Sequence, residues 1–511
     1  MKFFKKISYK KFILPVIVIL SEIFIYFQMI YNNQNITLKY QLVFLAVCII
    51  SNIGALIIFH FLKKNRDLKI EKLFLIIASI YGGIYLIFVP ALLGTDELPH
   101  FLRPYQISVG DVVVANPEKN ETKLPKAIGD FVGEKVVANR YTEKYILDGT
   151  DYSDTIPLWN GDVTSIDYSP LPYVPQIIGF FLSKIFQLSP LLILYTVRLC
   201  NFVTWLGLGY AAFRLLPVKK MFALVLYTSP AVLSLVSTCS ADAFSLGLFF
   251  VFISYILNLI HNKREFNRKN FLILGLISIA FSTYKIFYVL YVLLLFLIPK
   301  ECFKNSTKKK IANLLPIILI SFIIDFVWFM LSAVGHVGNE TVQKQIQFIL
   351  THPFKYIFIF INTFIDSIIS KYFVNLTAGN GMCYGLARIN QLFIYAYSGC
   401  FVASYFYDNK KVKMGKYSKI LIALVCLAIV GLVSTTLYLD WTSSRLGVGS
   451  LKIVGVQARY FWLLLIPIAC ILPNCKRCLK DEKKLIKFTT ILNTIILVNT
   501  ISSLLLAVFP K

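Results

Sequence analysis

Charge is scarce in this sequence. Only 15% of its 511 residues are Asp, Glu, Lys or Arg, against roughly a quarter in a soluble domain. With 57% hydrophobic residues and a mean hydropathy of +0.70, that shortage excludes an ordinary soluble enzyme. It indicates an all-α polytopic membrane protein. Acid is scarcer still: 26 Asp and Glu stand against 52 Lys and Arg, a net charge of +26. The basic residues sit in short clusters between apolar runs, the pattern of cytoplasmic loops, so nucleic acid is excluded as a partner. A disulfide framework is lacking too, since the ten cysteines are scattered, mostly inside apolar runs. The lone CKRC at 475–478 is a weak metal or redox signal and reads as an incidental pair. There is no low-complexity tract and no evident internal repeat. No small-residue cleavage site follows MKFFKKISYKKFILPVIVIL, which therefore reads as an uncleaved first span.

The basic clusters set the expected sidedness. Lys2, Lys5, Lys6, Lys10 and Lys11 place the N-terminus in the cytoplasm, and further clusters stand at 63–72, 218–220, 262–269, 300–310, 409–416 and 475–484. Keeping all of them inside predicts thirteen spans, at 12–30, 41–62, 73–91, 190–214, 222–237, 241–261, 271–283, 285–299, 311–334, 391–407, 418–440, 460–474 and 485–508, with the C-terminus outside. Two more apolar stretches, 173–188 and 354–373, would flip basic loops if they crossed. They are expected as interfacial or re-entrant helices of the outer leaflet. One large extracytoplasmic loop remains, 92–172, with thirteen of the 26 acidic residues. Turn signals in NPEKN and DGTDYSD predict a small folded cap there. The expected organisation is a two-span extension (1–72), a membrane core (73–474) that includes the loop and the 173–188 helix, and a basic loop with the last span (475–511).

The loop opens with TDELPHFLRPYQISVGD (95–111), in which Asp96 and Glu97 directly follow an uncharged apolar run. A carboxylate partly shielded from water tends towards a raised pKa and can take a proton from a sugar hydroxyl. The pair can also hold a divalent cation through oxygen ligands, or simply start a helix as a cap. His100 follows one helical turn after Asp96, where it can tune the acid, bind phosphate or serve the fold; Arg103 lies just beyond. Tyr168 and Tyr173, in DYSPLPYVPQ, can anchor at the headgroups or stack on a sugar ring. Asp242 in STCSADAFSLG, with Asp325 and Asp366, belongs to the intramembrane carboxylates, which are costly and usually functional or paired. Lys285, followed by Tyr288, occupies an outer turn where cations are uncommon. An ammonium there suits a phosphate or snorkels. Arg459 brings a second outer cation, and its planar fork matches phosphate oxygens.

Taken together, TDELPHFLRPYQISVGD, YSPLPYVPQIIG, the Asp of SADA, Lys-x-x-Tyr at 285–288 and GVQARYF resemble a family of bacterial multi-span membrane proteins catalogued as a domain of unknown function (DUF2142-like). The resemblance runs from about residue 73 to 474. Where the family often has Gly, this chain has Ala458, and Phe461-Trp462-Leu463 stands where the family has a Pro. The family in turn looks like the GT-C membrane glycosyltransferases. These have an acidic pair (here Asp96-Glu97), a following Gly-Asp (Gly110-Asp111), a Pro-Tyr juxtamembrane helix and an arginine early in the next span (Arg198). The resemblance implies a GT-C-like fold and a sugar donor on a polyprenyl phosphate. By it, Asp96 and Glu97 are the catalytic acids, and His100, Arg103, Tyr168, Tyr173, Arg198, Asp242, Lys285, Tyr288, Gln457, Arg459 and Tyr460 line the substrate. No cofactor is implied with certainty. The expected partners are membrane lipids, the polyprenyl-linked sugar and a glycan or other envelope acceptor, at the bacterial cytoplasmic membrane.

The rival expectation is a flippase or transporter for envelope polysaccharide, with Asp242, Asp325 and Arg459 as charges along a path. The acidic loop, without a counterpart in the second half, and the lack of an inverted repeat speak against it. Charges converging on one site would mark an enzyme, and charges strung along a path a transporter.

Overall fold

A computed structural model describes residues 13–32, 36–65, 68–113, 122–138, 144–158, 168–332, 340–365, 373–379, 387–407, 414–473 and 481–508. Asp366 and the CKRC at 475–478 fall outside the described residues. Among the described residues, seven helices are long and apolar enough to cross a membrane: Leu38–Lys64, Ile70–Phe88, Pro190–Leu215, Ala241–Asn262, Thr307–Ser332, Lys416–Leu446 and Glu482–Leu506. An eighth is reached if the helices Glu340–Thr351 and Pro353–Ile365, bent by 103° at His352, count as one span. The second of these carries most of the 354–373 stretch.

The six other expected spans are shorter or broken elements. Pro15–Tyr31, Phe287–Leu297 and Ala458–Ile471 are short apolar helices. Arg268–Ser282 and Gln391–Ser404 have 15 and 14 residues. The 222–237 run is two helices, Lys220–Tyr227 and Pro230–Val236. Their break has a local cause: Pro230 disfavours the helical region for Ser229, which is extended at φ −71°, ψ 150°. In an apolar surrounding the freed carbonyls need new donors. The Thr228 carbonyl accepts from Tyr397 Oη at 3.3 Å and from Asn493 Nδ2 at 3.1 Å. The run 286–297 is a 3₁₀ helix, unusually long for that form. Tyr288 and Tyr291 tie it to the carbonyls of Tyr460 and Leu463, each at 3.0 Å.

The last helix, Glu482–Val508, runs through the middle of the bundle. It packs on Ile13–Asn32, Leu38–Lys64, Ile70–Phe88 and Gln391–Ser404, and it is buried nearly all round, with the polar Thr490, Asn493, Thr494, Asn499 and Thr500 among its buried aliphatic residues. Apolar burial drives helix association weakly in lipid, so side chain to backbone bonds between helices carry more of the specificity. Here they are Tyr81 Oη to Thr490 O (2.9 Å), Asn493 Nδ2 to Thr228 O, and Asn499, which receives Asn390 N at 2.9 Å.

The described parts of the expected cap are folded; the NPEKN turn signal at 116–120 lies outside the described residues. Strand β1 (Lys123–Pro125) pairs antiparallel with β2 (Thr155–Pro157), Leu124 opposite Ile156. Helices Glu97–Ser108 and Lys126–Ala138 pack with them over Phe101, Leu102, Ile128 and Phe131. This small core continues onto Phe180 and Val197 of the helices below. The expected non-crossing helix at 173–188 is Val174–Ile185, of 12 residues. That is about 18 Å at 1.5 Å per residue, against a hydrocarbon core of about 30 Å. It lies along Pro190–Leu215 with Phe181, Ile185 and Phe186 exposed.

Sidedness is open to test by cysteine labelling. The basic loop at 218–220 is a poor site, because Val218 and Lys219 are only 1% and 4% exposed. Arg264 and Asp154 are exposed. In a cysteine-depleted background, Asp154→Cys is expected to react with an impermeant maleimide in intact cells, and Arg264→Cys only after permeabilisation. Both labelling from outside would break the threading.

Candidate functional site

The site is built around two arginines with contrasting surroundings. Arg198, in the Pro190–Leu215 helix, and Glu97, first residue of the Glu97–Ser108 helix, are both fully buried. Arg198 Nε and Nη2 reach the two Glu97 oxygens at 2.6 and 2.7 Å. Its other N–H groups donate to the carbonyls of Leu86, Val89 and Pro90 at 2.8 to 3.1 Å. Leu86 lies in the last turn of the Ile70–Phe88 helix, where carbonyls are left without helical partners, and Val89 and Pro90 follow directly on it. The same carboxylate accepts from Gly94 N and Cys239 N, each at 3.0 Å. A side chain at Gly94 would collide with Thr238, so the turn closes only with glycine. All five donors of Arg198 and both oxygens of Glu97 are thus committed. Arg198, expected among the substrate-lining residues, belongs to the scaffold instead. Glu97 supports Asp96 from below and does not share its surface.

That closed pair fixes Asp96. The chain must turn from the Ile70–Phe88 helix back into the next one within a few residues, and it does so with Leu92 and Asp96 in the left-handed region at φ 59° and 55°. Aspartate tolerates this better than most residues. Asp96 stands at the N-cap position but makes no side-chain cap bond. Its carboxylate turns to Arg459 Nη2. Arg459 Nη1 lies 3.1 Å from Asp242 Oδ2, and Lys285 Nζ lies 3.7 Å from Asp242 Oδ1. Acid and base alternate along this chain, drawn from four segments. Side-chain exposure falls from 35% at Asp96 and 22% at Lys285 to 13% at Asp242 and 9% at Arg459. Asp242 is positioned by the Ala241–Asn262 helix start, where Ser240 Oγ accepts from Asp242 N at 3.0 Å. Gln176 and Asn201 hold the Ser240 carbonyl.

Arg459 is incompletely paired. Among the described residues its buried Nε and Nη1 have no hydrogen-bond partner, Nη1 lying near Asp242 without alignment. In Arg198 the Nε and Nη2 edge grips a carboxylate with both nitrogens. In Arg459 the same edge is half used.

Tyrosines surround Lys285. Its Nζ lies 4.5 Å from the Tyr460 ring centre, 4.9 Å from Tyr284 and 5.5 Å from Tyr168, distances at which a cation is attracted to the ring face. Tyr284 and Tyr288 stack at 5.5 Å, and Ser169 Oγ with Thr283 Oγ1 at 2.8 Å pins the Tyr168 segment beside the turn. Tyr284 was not singled out in the sequence; its place before Lys285 and four residues from Tyr288 was the available sign. His100 Nδ1 and Tyr173 Oη are 2.6 Å apart, and Tyr168 meets the His100 ring edge-on. Burial, the largest influence, lowers the His100 pKa to about 4, with Asp242 and Asp96 opposing it and Arg459 and Lys285 adding to it. The imidazole is neutral at pH 7.

Other expected residues lie apart from this chain. Arg103 is buried and donates to Gln106 Oε1 (2.6 Å) and to the carbonyls of Asp111 (3.2 Å) and Val112 (2.7 Å), so it ties down the segment after its own helix. Gly110 takes φ +103°, which glycine permits. Asp111 accepts from Thr122 Oγ1 at 2.5 Å and joins the two sides of the cap. Gln457 precedes the 3₁₀ turn Ala458–Phe461 that presents Arg459. Asp325 is buried in the Thr307–Ser332 helix. A divalent cation between Asp96 and Glu97 would need oxygens that Glu97 has already committed, and among the described residues no three His, Cys, Asp or Glu side chains gather as metal ligands.

A family model described as "Predicted membrane protein (DUF2142)" matches residues 79–472. The chain belongs to that family. No curated protein and no solved structure matches it. The DUF2142 region holds every residue of the alternating chain and the tyrosine wall, whereas the first two helices and the last lie outside it.

Two outcomes follow from these pairs. Arg198→Leu leaves Glu97 charged, buried and unpaired, which costs about 3–5 kcal/mol; detergent-solubilised protein should unfold at markedly lower temperature or fail to accumulate. Separately, the unfolded chain protonates His100 near pH 6.5 and the fold only near 4. The unfolded state therefore binds more protons in that window, and stability falls as pH is lowered through it. His100→Gln should flatten this part of the melting-temperature profile.

Proposed function

We propose that this protein is a membrane glycosyltransferase of GT-C type that moves a sugar from a polyprenyl-phosphate donor to a cell-envelope acceptor. In this reading the short and broken apolar elements complete a thirteen-pass arrangement in the bacterial cytoplasmic membrane, with the N-terminus inside and the cap and the C-terminus outside. The observation that carries it is the half-used fork of Arg459 directly beside the carboxylate of Asp96. A phosphate oxygen suits the open Nε and Nη2 edge, and Lys285 adds a second charge from the tyrosine wall. Sugar rings stack well on such aromatic faces.

The chemistry needs a base and a leaving-group site side by side. The acceptor hydroxyl oxygen forms a bond to the anomeric carbon while the bond from that carbon to the phosphate oxygen breaks. The phosphate leaves with the electron pair, its charge stabilised by Arg459 and Lys285, and the hydroxyl proton passes to Asp96. Asp242 contacts both cations and holds them in register; it is a positioning residue, not a ligand for the sugar. Asp96, Asp242, Lys285 and Arg459 converge on one place, which favours a transferase over a transport path.

General-base catalysis is worth about 10²–10⁴-fold. Asp96→Asn should lose turnover of that order in glycan output, at unchanged protein level. Full output from this variant would remove the base from the reading.

A further inference from the structure

Asp96 is held by Arg459, and a carboxylate held by a guanidinium is a poor base. The open Nε, the engaged Nη2 and the anchoring of Nη1 by Asp242 belong to one guanidinium. We propose that the Asp96–Arg459 contact is a latch opened by the ligand itself: a phosphate group takes the Nε and Nη2 edge, displaces Asp96, and so frees the base only when the leaving group is in place. This rests on the phosphate-binding reading above and adds its regulation.

The geometry favours exchange over simple addition. Nη2 carries two N–H groups, but a phosphate on the Nε and Nη2 edge would set a second anion against the Asp96 carboxylate in a partly buried place, where like charges repel strongly, and Arg459 has little room to follow Asp96, because Asp242 and the Tyr460 ring flank it. Asp96 is the most exposed member of the chain and stands at a turn between helices, so it is the partner free to swing. Glu97, one residue on, stays fixed in its closed pair and limits that swing to the Asp96 side chain. Until the exchange occurs, neither water nor an acceptor hydroxyl meets an unpaired carboxylate, which guards the donor against wasteful hydrolysis.

The consequence is a competition that binding can read. Asp96 and the ligand phosphate contend for one donor edge, so removing the Asp96 charge should tighten phosphate binding while it abolishes turnover. Asparagine suits the test because it accepts the left-handed backbone as readily as aspartate. The probes are a polyprenyl phosphate, the same polyprenol without phosphate, and inorganic phosphate, titrated onto full-length protein in nanodiscs. Asp96→Asn should bind both phosphate probes more tightly by about tenfold, the equivalent of about 1.4 kcal/mol, with polyprenol unchanged. Arg459→Gln and Lys285→Gln should weaken phosphate binding, and Arg459→Lys, which keeps the charge but not the fork, should bind more weakly than wild type.

Equal or weaker phosphate binding by Asp96→Asn, with Arg459→Gln impaired, overturns the latch and leaves the phosphate site standing. Unchanged binding in both Arg459→Gln and Lys285→Gln overturns the phosphate site, and the latch with it. Tightening of polyprenol as much as of phosphate also sinks the latch, since the gain would then not run through the anion. Stronger binding of polyprenyl phosphate than of inorganic phosphate supports the lipid as ligand. The reverse order overturns the lipid and keeps the anion exchange.

Discussion

Arg198 and Glu97 meet where neither touches water, and three stretches of chain are fastened at that point: the end of the Ile70–Phe88 helix, the turn at Gly94 and the loop at Cys239. Removing two charges from water is expensive, and only complete hydrogen bonding offsets it. Completeness is what this pair has. Its position then dictates the rest, because Asp96 precedes Glu97 and Asp242 lies three residues beyond Cys239. One saturated pair thereby sets the location of both acids in the unsaturated chain.

The two arginines make an internal comparison. Both offer the same Nε and Nη2 edge to a carboxylate. Arg198 has every donor filled and acts as a rivet, while Arg459 has one nitrogen of that edge without a partner. Since buried polar groups are nearly always satisfied, the incomplete one is the better candidate for a ligand. The cost of leaving it incomplete is moderated by Asp242 and by the ring face of Tyr460 beside it, which supply negative potential.

Much of this could be read from the residues. The seven long spans coincide with seven of the expected ones, because a long uncharged run leaves few alternatives in a bilayer. The gathering of Asp96, Asp242, Lys285 and Arg459 in one chain of contacts also follows the expected grouping. Hydropathy alone did not resolve local breaks: Ser229-Pro230 divides one apolar run, and 286–297 winds as 3₁₀. Nor could it tell which arginine would be consumed internally. Arg198 and Arg459 look alike in sequence, and the partner that separates them, Glu97, stands 101 residues from the first. Tyr284, beside Lys285, fell in the expected turn between two spans and was not singled out, and only the folded turn reveals it as part of a wall.

The buried polar residues of Glu482–Val508 have a consequence for how the chain is made. Ribosomes deliver helices in order, and this central one arrives after nearly everything that packs around it. Until it is threaded in, the carbonyl at Thr228 lacks Asn493 and the phenol of Tyr81 lacks the Thr490 carbonyl. These contacts between distant parts of the chain therefore close late, after the helices they join have already been made.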